Sequence, residues 1–330
     1  MTKTILITGI RGLIGSNFAK WVLTHKPEYR IVGIDNGYGG LDENMISDPR
    51  VHYERVDIVT DDYLLRKVFI QYEPEYVFHF AAYAPEGLSP WIRKFIYENI
   101  VVGTANIVNN CIKSKSKIIF TSSMAVYGAG EPPFSEWDDC NPIDPYGNAK
   151  LTAERDLLMA CRQFDLEIAI LRPHNVYGPG QNIYDPNRNV LGIWMYKMMS
   201  HQPMLVYGDG LQRRSFTYVE DILEPIWNAA ELKHSDFPIN LGWTPDISIK
   251  EAAALVQKLG IEAGLNPEIV FTESRYEVKR AFTTGHRAIE LLGFPVNSTP
   301  LEEGLRKMWK WVQCNYSDCT PLAKAPQREI

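Results

Sequence analysis

The chain has 330 residues, of which 45% are hydrophobic and 22% are charged, and its formal net charge at pH 7 is −6. This composition is typical of a folded globular protein with one large domain or two smaller ones, and it argues against a disordered chain. The net negative charge argues against a role in binding nucleic acid or an anionic membrane surface. Any phosphate-bearing ligand must therefore be held by local arginines and backbone amides.

The cysteines and the apolar segments also exclude several classes of protein. The five cysteines form no Cys-x-x-Cys pair and have no metal-ligand spacing; they are Cys111, Cys140, Cys161, Cys314 and Cys319. An odd number of unpaired cysteines predicts free buried thiols in a reducing compartment and no metal site. No stretch like a signal peptide precedes the first apolar segment, and no run of 18 apolar residues occurs. We therefore expect a cytoplasmic protein without a membrane span.

Strand-like and helix-like segments alternate over the first 172 residues. The predicted strands are short and rich in β-branched residues, and they cover Thr4–Thr8, Arg30–Asp35, Val51–Val56, Glu75–Phe80, Lys117–Ser122 and Glu167–Arg172. The predicted helices between them cover Leu13–His25, Asp61–Tyr72, Pro90–Lys113 and Tyr146–Phe164. This alternation predicts an α/β fold with a doubly wound parallel sheet of the Rossmann type, covered by helices on both faces.

The regular alternation ends at Arg172. A loop rich in Gly, Pro and Asn follows at Asn175–Asn189, and the later predicted helices cover Val190–Ser200, Asp221–Glu231 and Pro300–Asn315. We expect residues 1–172 to form a dinucleotide-binding domain and residues 173–330 to form a smaller, mixed α/β substrate domain. Residues 216–242 are expected to return to the first domain. The tail at 317–330 has little periodicity and is expected to be loose.

A glycine-rich turn directly follows the first predicted strand and opens the first predicted helix. Gly9 suits the tight turn, Gly12 leaves room for a pyrophosphate, and Gly15 lets the helix lie close to the sheet. The next strand ends in Asp35, about twenty residues beyond the turn. An acid there accepts hydrogen bonds from ribose hydroxyls and repels a 2′-phosphate. The pattern therefore predicts a dinucleotide site that prefers NAD to NADP.

Tyr146 and Lys150 lie four residues apart on a predicted helix and so project from the same face. A nearby ammonium stabilises a phenolate, and such a tyrosine can take a proton from a hydroxyl while hydride leaves the same carbon. The preceding strand ends in Ser122 and Ser123, where a hydroxyl can bond to the reacting oxygen. His79 and His174 are expected to be structural, since the general base is already assigned.

Four segments match one known family in their order. They are the glycine turn, the Ser-Ser-Met-Ala-Val-Tyr-Gly segment ending at Gly128, the Tyr-x-x-x-Lys pair, and Arg-Pro-His-Asn-Val-Tyr-Gly-Pro-Gly at 172–180. Together with Asp35 they make the chain similar to the extended short-chain dehydrogenase/reductase family over residues 4–312, and within it to UDP-sugar 4-epimerases. The resemblance implies NAD as a retained cofactor, a nucleoside-diphosphate sugar as substrate, and epimerisation through a transient 4-keto sugar.

The resemblance also assigns roles to individual residues. The catalytic serine, tyrosine and lysine of the family match Ser123, Tyr146 and Lys150, with Ser123 preferred to Ser122 because it stands three residues before Val126. The positions that match the cofactor site are Gly9, Arg11, Gly12, Leu13, Ile14, Gly15, Asp35, Asn36, Asp57, Ile58, Phe80, Ala81, Ala82, Tyr146 and Lys150. The positions that match the substrate site are Ser123, Asn175, Asn189, Arg214 and Arg275.

The chain departs from the family pattern in one helix. Members usually place an asparagine three residues before the Gly-Thr of the long helix, but Ile100 stands there and Asn99 precedes it. A shift of one residue would restore the contact, and Asn99 is otherwise only a candidate.

Two other positions narrow the predicted reaction. Where the related dehydratases carry an Asp and a Glu for proton transfer, this chain has Met124 and Ala125. The decarboxylases and the GDP-sugar 3,5-epimerases similarly need a glutamate or a cysteine at the second place. We therefore expect 4-epimerisation by hydride transfer. The alternatives are a nucleotide-sugar dehydrogenase, reductase or dehydratase of the same family and, from another class, a non-catalytic dinucleotide sensor, which typically lacks the tyrosine or the lysine.

The long helices carry more apolar residues than one sheet-facing stripe requires. Those on the helices at 90–113 and 146–164 are Trp91, Ile92, Phe95, Ile96, Ile100, Val101, Val102, Ile107, Leu157, Leu158, Met159 and Cys161. A second apolar stripe would leave an exposed patch in a monomer, and such patches usually mark an interface. In the family this helix pair typically forms a four-helix bundle across a twofold axis. The expected assembly is therefore a homodimer.

Overall fold

The computed structural model describes residues 3–232, 237–242 and 245–316 of the chain. The strands are β1 Lys3–Thr8, β2 Tyr29–Asp35, β3 Val51–Arg55, β4 Tyr76–His79, β5 Lys117–Thr121, β6 Ile168–Pro173, β7 Val176–Tyr177, β8 Met204–Tyr207, β9 Arg213–Arg214, β10 Thr217–Tyr218, β11 Ile239–Leu241, β12 Ile247–Ser248, β13 Ile269–Thr272 and β14 Arg280–Ala281. The α-helices are α1 Leu13–His25, α2 Asp62–Tyr72, α3 Arg93–Tyr97, α4 Gly103–Ser114, α5 Pro145–Phe164, α6 Val190–Met199, α7 Leu223–Glu231, α8 Ile249–Glu262, α9 His286–Leu292 and α10 Leu301–Asn315.

A seven-stranded parallel sheet forms the centre of the molecule, as the alternation of segments predicts. Its strand order is β11-β6-β5-β4-β1-β2-β3. The chain runs outward from β1 to β2 and β3 on one side, and from β4 to β5 and β6 on the other, so the order reverses beside β1. Ligands of such sheets bind at this switch point, outside the carboxyl ends of the strands. The fold class is a Rossmann-type α/β sheet.

Alternating residues of the strands enter two apolar layers, one on each face of the sheet. On β1, Ile5 and Ile7 pack with Trp227 of α7, while Leu6 packs on the other face with Leu157 of α5. All four of the aliphatic side chains are fully buried. This period of two, with both faces apolar, is what a strand covered by helices on both sides requires.

The chain after β6 builds a smaller α/β part and then returns to the sheet. Helices α6, α8 and α10 enclose a third apolar cluster that includes Trp194, Val256 and Met308. Strand β11 pairs in parallel with β6, with Ile239 opposite Leu171. The limits of the two domains, at residues 172 and 173, stay a prediction.

A buried polar network fixes the end of β6 against α5 and β11. The Arg172 guanidinium donates to both carboxylate oxygens of Glu154, at 2.9 and 2.6 Å, and to the hydroxyl of Tyr127 at 2.9 Å. That hydroxyl donates to Asn240 Oδ1 at 2.7 Å. The two charged side chains are 4% and 2% exposed, so the charges stabilise each other in a place where neither is solvated.

The predicted long helix at 90–113 differs most from the structure. A 3₁₀ turn at Ser89–Trp91 and the short α3 precede a π-helical turn at Glu98–Val102, and α4 begins only at Gly103. The amide of Gly103 donates to the carbonyl of Glu98, five residues back. One extra residue is thus accommodated inside an otherwise continuous helix, and such turns are frequent at functional sites.

Only part of the apolar surplus on these helices is exposed. Ile96, Ile100, Ile107 and Leu157 are buried beneath the sheet. Of the surplus residues named above, the large side chains that remain exposed are Trp91, Val102 and Met159, at 76%, 43% and 50%, and Phe164 at the end of α5 is also exposed, at 58%. The homodimer stays a prediction that rests on this smaller set.

Two further expectations concern the cysteines and the membrane. Cys111 is buried, Cys140 and Cys161 are half-buried, and none of them is in a disulfide, but Cys314 is exposed, so the prediction of buried thiols is wrong for that residue. Its place on the outer face of α10 explains the exposure, since α10 is amphipathic. Cys319 and the predicted loose tail lie outside the described residues. In the described ranges, no helix is both long and apolar enough to cross a membrane.

Candidate functional site

The glycine turn between β1 and α1 lies against the end of β4. Gly9 has a positive φ of 69°, and a Cβ there would come within 2.9 Å of the Ala81 backbone. A Cβ on Gly15 would lie 2.3 Å from the carbonyl oxygen of Gly9, so this glycine allows α1 to approach the strand. A Cβ on Gly12 would meet only that carbonyl, at 3.2 Å. Gly12 therefore faces open space above the turn, which is the space a pyrophosphate requires.

The N-terminus of α1 is suited to bind an anion. Gly12 is the N-cap and has no side chain to accept from the first-turn amides, and no acidic residue lies in that turn. The amides of Leu13 and Ile14 have no partner within the helix because they belong to its first turn. The positive end of the helix dipole faces the same space. The turn therefore fits the diphosphate of a dinucleotide.

Asp35 lies at the end of β2 beside this turn and is held by two backbone amides. Its Oδ2 accepts from the amide of Arg11 at 3.1 Å and its Oδ1 accepts from the amide of Gly37 at 2.8 Å. Asn36 donates from Nδ2 to Asp57 Oδ2 at 3.0 Å. The carboxylate is fixed in place and keeps lone pairs for ribose hydroxyls, because each oxygen has about two acceptor sites.

The remaining candidates for the cofactor site lie along β4 and its neighbours. Phe80, Ala81 and Ala82 follow β4 directly, and the amide of Ala81 donates to the Thr8 hydroxyl at 3.0 Å. Ile58 is buried and contacts Gly103. The Arg11 side chain instead turns away from the turn and bonds to Leu41 O and Asp42. Arg11 thus contributes to the site through its backbone amide, which holds Asp35 in place.

His79 links the end of β4 to its neighbours and has a structural role. Its Nδ1 is 2.7 Å from the Thr8 hydroxyl and its Nε2 is 3.1 Å from the Thr104 hydroxyl. Burial lowers the pKa of His79 to about 3, so the ring is neutral at pH 7.

The candidate catalytic residues meet at the carboxyl edge of the sheet. Tyr146 lies in the first turn of α5 and is 8% exposed. Ser123, just after β5, hydrogen bonds to it. Lys150 lies one turn later on the same helix face and donates to the Thr121 carbonyl at 2.7 Å. Ser122, by contrast, is buried, and its hydroxyl has no hydrogen-bond partner in the part of the chain that the structure describes. The geometry thus favours Ser123, as the sequence pattern does.

Burial dominates the acidity of this group. It raises the pKa of the Tyr146 phenol well above its ordinary value, while the Ser123 hydrogen bond and the charge of Arg188 lower it. Burial also lowers the pKa of Lys150 to about 7. The expected lowering of the tyrosine pKa therefore depends on cations added to this pocket, because the protein alone disfavours the phenolate.

The π-helical turn explains the displaced asparagine of the sequence. Asn99 lies in that turn, and its Oδ1 accepts from the backbone amide of Tyr83 at 2.7 Å. Tyr83 follows Ala82, so this bond fixes the loop that leaves β4 at the cofactor site. The extra residue accommodated by the π turn supplies the shift of one residue that the sequence requires.

The two candidate phosphate-binding arginines share one glutamate. Arg214 donates to Glu277 Oε2 at 3.1 Å and to the Val278 carbonyl at 2.8 Å. Arg275 lies 3.5 Å from the same carboxylate oxygen and stacks on Tyr207, 4.6 Å from the ring centre. Burial lowers the pKa of Arg214, which still leaves it charged at pH 7. Two cations share one anion here, so Glu277 alone does not neutralise the two arginines.

The side chains of the two candidate substrate-binding asparagines hydrogen bond to backbone carbonyls of neighbouring segments. Asn175 Nδ2 donates to the Ser215 carbonyl at 2.8 Å. Asn189 caps α6 through Oδ1, and its Nδ2 lies 3.2 Å from the Val176 carbonyl. His174 is fully buried, hydrogen bonded to Thr283, and its pKa is lowered to about 3 by burial. A substrate contact of Asn189 would need one of these bonds to be shared.

Sequence reasoning missed three charged residues of the cleft. Asp144 caps α5 by accepting from the Gly147 amide at 2.9 Å, and the Asp-Pro pair before the helix was the available signal. Arg188 lies over the Tyr83 ring, 4.5 Å from its centre, and pairs with Asp185 at 3.0 Å. Glu86, in the loop after β4, lies close enough to Tyr146 for its charge to raise the pKa of that phenol. No sequence motif marks either Arg188 or Glu86.

Known proteins of similar sequence and structure show which family has this geometry. A curated protein of Methanocaldococcus jannaschii named "Putative UDP-glucose 4-epimerase" is 32% identical over 94% of this chain and 99% of its own length. The UDP-N-acetyl-alpha-D-glucosaminuronate decarboxylase of Bacillus cytotoxicus is 33% identical over 78% and 81%. The structure of the Thermotoga maritima UDP-glucose 4-epimerase with UDP-glucose superposes with a TM-score of 0.86 at 27% identity, covering 94% of this chain and 99% of that one.

The relatives thus include more than one reaction on nucleotide-activated sugars. The sequence profile of the NAD dependent epimerase/dehydratase family matches residues 5–242, which include the glycine turn, the Ser-Tyr-Lys group and strand β11. The resemblance predicted from the motifs, and NAD as the cofactor, are thereby confirmed. This chain belongs to the NAD dependent epimerase/dehydratase family.

Proposed function

We propose that the protein epimerises a nucleotide-activated sugar at C4, as UDP-glucose 4-epimerases do. One observation carries this proposal. Ser123, Tyr146 and Lys150 meet beside the glycine turn, while the adjacent 3₁₀ turn offers only Met124 and Ala125 where dehydratases need proton-transfer groups. The site therefore favours hydride transfer at a carbinol carbon over elimination or decarboxylation.

The protein's own residues account for the proton movements. Tyr146, as the phenolate, takes the proton of the sugar 4-hydroxyl, and Ser123 hydrogen bonds to the same oxygen. Lys150 is held by the Thr121 carbonyl, and its ammonium would stabilise the phenolate of Tyr146. Bound NAD would supply reversible hydride transfer at C4, and the 4-keto sugar would present its other face before hydride returns. Tyr146 then gives its proton back to O4, so that no atom is gained or lost.

Strong anchoring of the diphosphate and weak holding of the sugar suit this reaction. Arg214 and Arg275 offer planar guanidinium groups, which match phosphate oxygens. Their shared partner Glu277 is half-buried, with 22% of the side chain exposed. A diphosphate can replace one of the two bonds to Glu277 without leaving a buried charge unpaired, which favours binding. The sugar can then rotate between its two faces while the nucleotide stays bound.

The test is incubation with UDP-, GDP- and dTDP-sugars in D₂O, with the sugar identified by NMR. We expect interconversion of the C4 epimers of one hexose, full retention of hydrogen at C4, and no deuterium at C5. Loss of water or CO₂ from the sugar, or deuterium at C5, would contradict the proposal. Absence of any turnover across the panel, with the cofactor bound, would favour the non-catalytic sensor.

A net dehydrogenase or reductase uses the same three residues and is distinguished by its treatment of the cofactor. An epimerase keeps NAD bound through purification and releases no NADH during turnover. A reductase exchanges the cofactor with solution and oxidises added NADH in proportion to product. Measurement of bound dinucleotide in the purified protein, and of absorbance at 340 nm during the reaction, separates the two.

The assembly we propose is a homodimer formed through α4 and α5. Trp91, Val102 and Met159 are exposed on or beside these helices, and a twofold contact would bury them against the same surface of a second chain. Light scattering at micromolar concentration should return twice the 37.7 kDa chain mass. A single chain mass would contradict the proposal, and Val102→Lys with Met159→Lys should produce that mass.

A further inference from the structure

Glu86 is an acidic group in the cleft that the proposed chemistry does not use. It follows β4, in the loop before the 3₁₀ turn at Ser89–Trp91, and its side chain is exposed. Among the described residues, its carboxylate has neither a hydrogen bond nor an ion pair. Its charge interacts with those of Asp144, Arg214 and Arg275.

The backbone of Glu86 is held firmly even though its side chain is free. The buried hydroxyl of Ser89 donates to the Glu86 carbonyl at 2.8 Å and lies 3.4 Å from Asp144 Oδ1. Asp144 in turn caps the helix that carries Tyr146. The loop is therefore fixed to the start of α5, which keeps the backbone of Glu86 close to the helix that carries the candidate catalytic tyrosine.

The neighbours of Glu86 define where a sugar would lie. Tyr146 would act on the sugar hydroxyl, and Arg214 and Arg275 would bind the diphosphate, so the sugar spans the space between them. Glu86 interacts electrostatically with all three of these residues. The next residue, Gly87, is also close to Arg275, because a Cβ on Gly87 would lie 3.6 Å from a terminal nitrogen of that arginine. The carboxylate thus lies near the space that the sugar would occupy.

We propose that Glu86 selects the sugar by charge: it accepts hydrogen bonds from neutral hexose hydroxyls and excludes nucleotide sugars that carry a C6 carboxylate. This inference rests on the proposed function, since it takes the sugar to lie beside Tyr146. Two like charges in a cleft repel each other more strongly than in bulk water, because the surrounding protein lowers the effective dielectric constant. Juxtaposed like charges are a common means of rejecting a wrong partner.

The acidity of Glu86 allows a second test of the proposed selection by charge. The surrounding protein, Asp144 and Glu277 raise the pKa of Glu86 to about 7, while the charges of Arg214 and Arg275 lower it. The anionic fraction of Glu86 therefore falls as the pH is lowered from 8 to 6. Exclusion of an acidic sugar should weaken over this interval, since a uronate keeps its own charge throughout.

The experiment compares the affinities of the NAD-loaded protein for UDP-glucuronate and UDP-glucose by calorimetry at pH 8 and pH 6. The variants are Glu86→Gln, the charge-conserving Glu86→Asp, and Glu290→Gln on the outer helix α9. In Glu86→Gln at pH 8, we expect the affinity ratio of UDP-glucuronate to UDP-glucose to rise at least about tenfold. The unaltered protein should show part of this rise at pH 6, Glu86→Gln should lose the pH dependence, and the other two variants should keep it.

Three outcomes separate the inference from the function on which it rests. A high ratio in the unaltered protein at pH 8, or a ratio that Glu86→Gln does not change, overturns the role of Glu86 while leaving 4-epimerisation intact. A protein that binds none of UDP, UDP-glucose and UDP-glucuronate overturns both. Deuterium at C5 of a sugar, lost in Glu86→Gln, would show that Glu86 transfers protons and would overturn charge selection as its role.

Discussion

Two arginine–glutamate pairs lie near the cleft, and they differ in what surrounds them. Arg172 and Glu154 form a two-pronged contact at the end of β6, 4% and 2% exposed, and the guanidinium makes a further bond to Tyr127. Arg214 and Glu277 are 13% and 22% exposed and share the carboxylate with Arg275. The first pair is closed to any ligand. In the second pair one partner can be exchanged.

The difference separates the two sides of the cleft. On the sheet side, side chains and backbone groups bond to each other before any ligand arrives, as Asp35, Thr8 and Lys150 do. On the opposite side, charges balance one another through contacts that a diphosphate can replace. A site built in this way holds the cofactor in a preset geometry and adapts to the substrate.

The largest effect should come from breaking the closed pair. Arg172→Met leaves Glu154 buried without a partner, which should lower the free energy of unfolding by about 3–5 kcal/mol. Arg214→Met should lower it by less than this, because Glu277 keeps Arg275 as a partner, and should weaken UDP binding at least about tenfold. Urea denaturation and calorimetry with UDP measure both. Equal stability losses in the two variants would show that the pairs do not differ as described.

The next effect concerns the preset catalytic group. Tyr146→Phe removes the proton acceptor and should slow turnover at least about a hundredfold, or about 2.7 kcal/mol of activation free energy. NAD content and thermal stability should stay near those of the unaltered protein. Tyr97→Phe is the matched control, because it removes a hydroxyl that only accepts from Asn148 at 3.0 Å. Near-normal turnover by the Tyr146 variant would refute the catalytic role.

A smaller effect should separate two glycines of the same turn. Gly15→Ala places a methyl 2.3 Å from the Gly9 carbonyl, so overpacking should destabilise the cofactor-free protein by about 1–3 kcal/mol. Gly12→Ala meets that carbonyl at 3.2 Å and should change stability by less than about 1 kcal/mol, yet weaken NAD binding. Denaturation and NAD titration of both variants test this. The reverse pattern would mean that Gly12 does not face the cofactor.

The smallest effect concerns the choice between two dinucleotides. Asp35→Ala removes the negative charge beside the ribose and should raise the ratio of NADP to NAD affinity about tenfold. Asp62→Ala, on the exposed start of α2, is the control and should leave the ratio unchanged. If the unaltered protein already prefers NADP, Asp35 does not select the cofactor.

Much of the sheet side was predictable because its signals are local. A glycine turn between a strand and a helix, and a Tyr-Lys pair one helical turn apart, appear within a few consecutive residues. The alternating apolar segments located every strand that carries these groups to within about two residues, the usual uncertainty of such bounds. The helix boundaries at Leu13–His25 were predicted without error.

The opposite side was less predictable because it is assembled from distant segments. Glu86, Arg188 and Arg275 lie far apart in the chain, and no local pattern places them in one cleft. The π turn was also hidden, since Ile100, Val101 and Val102 form an apolar run that satisfies a regular helix equally well. Only the amide of Tyr83, 16 residues away, shows why Asn99 lies where it does.

The return of the chain to the sheet at β11 bears on how such a protein can diversify. Asn240 accepts from the Tyr127 hydroxyl, and its amide donates to Glu136 at 2.9 Å, so a late segment completes an early structure. A recombination event that exchanged everything after Pro173 would separate these partners and leave β6 as an open edge. New substrate preferences are therefore more accessible through replacement of short loops, such as the one that carries Glu86, than through exchange of the C-terminal half.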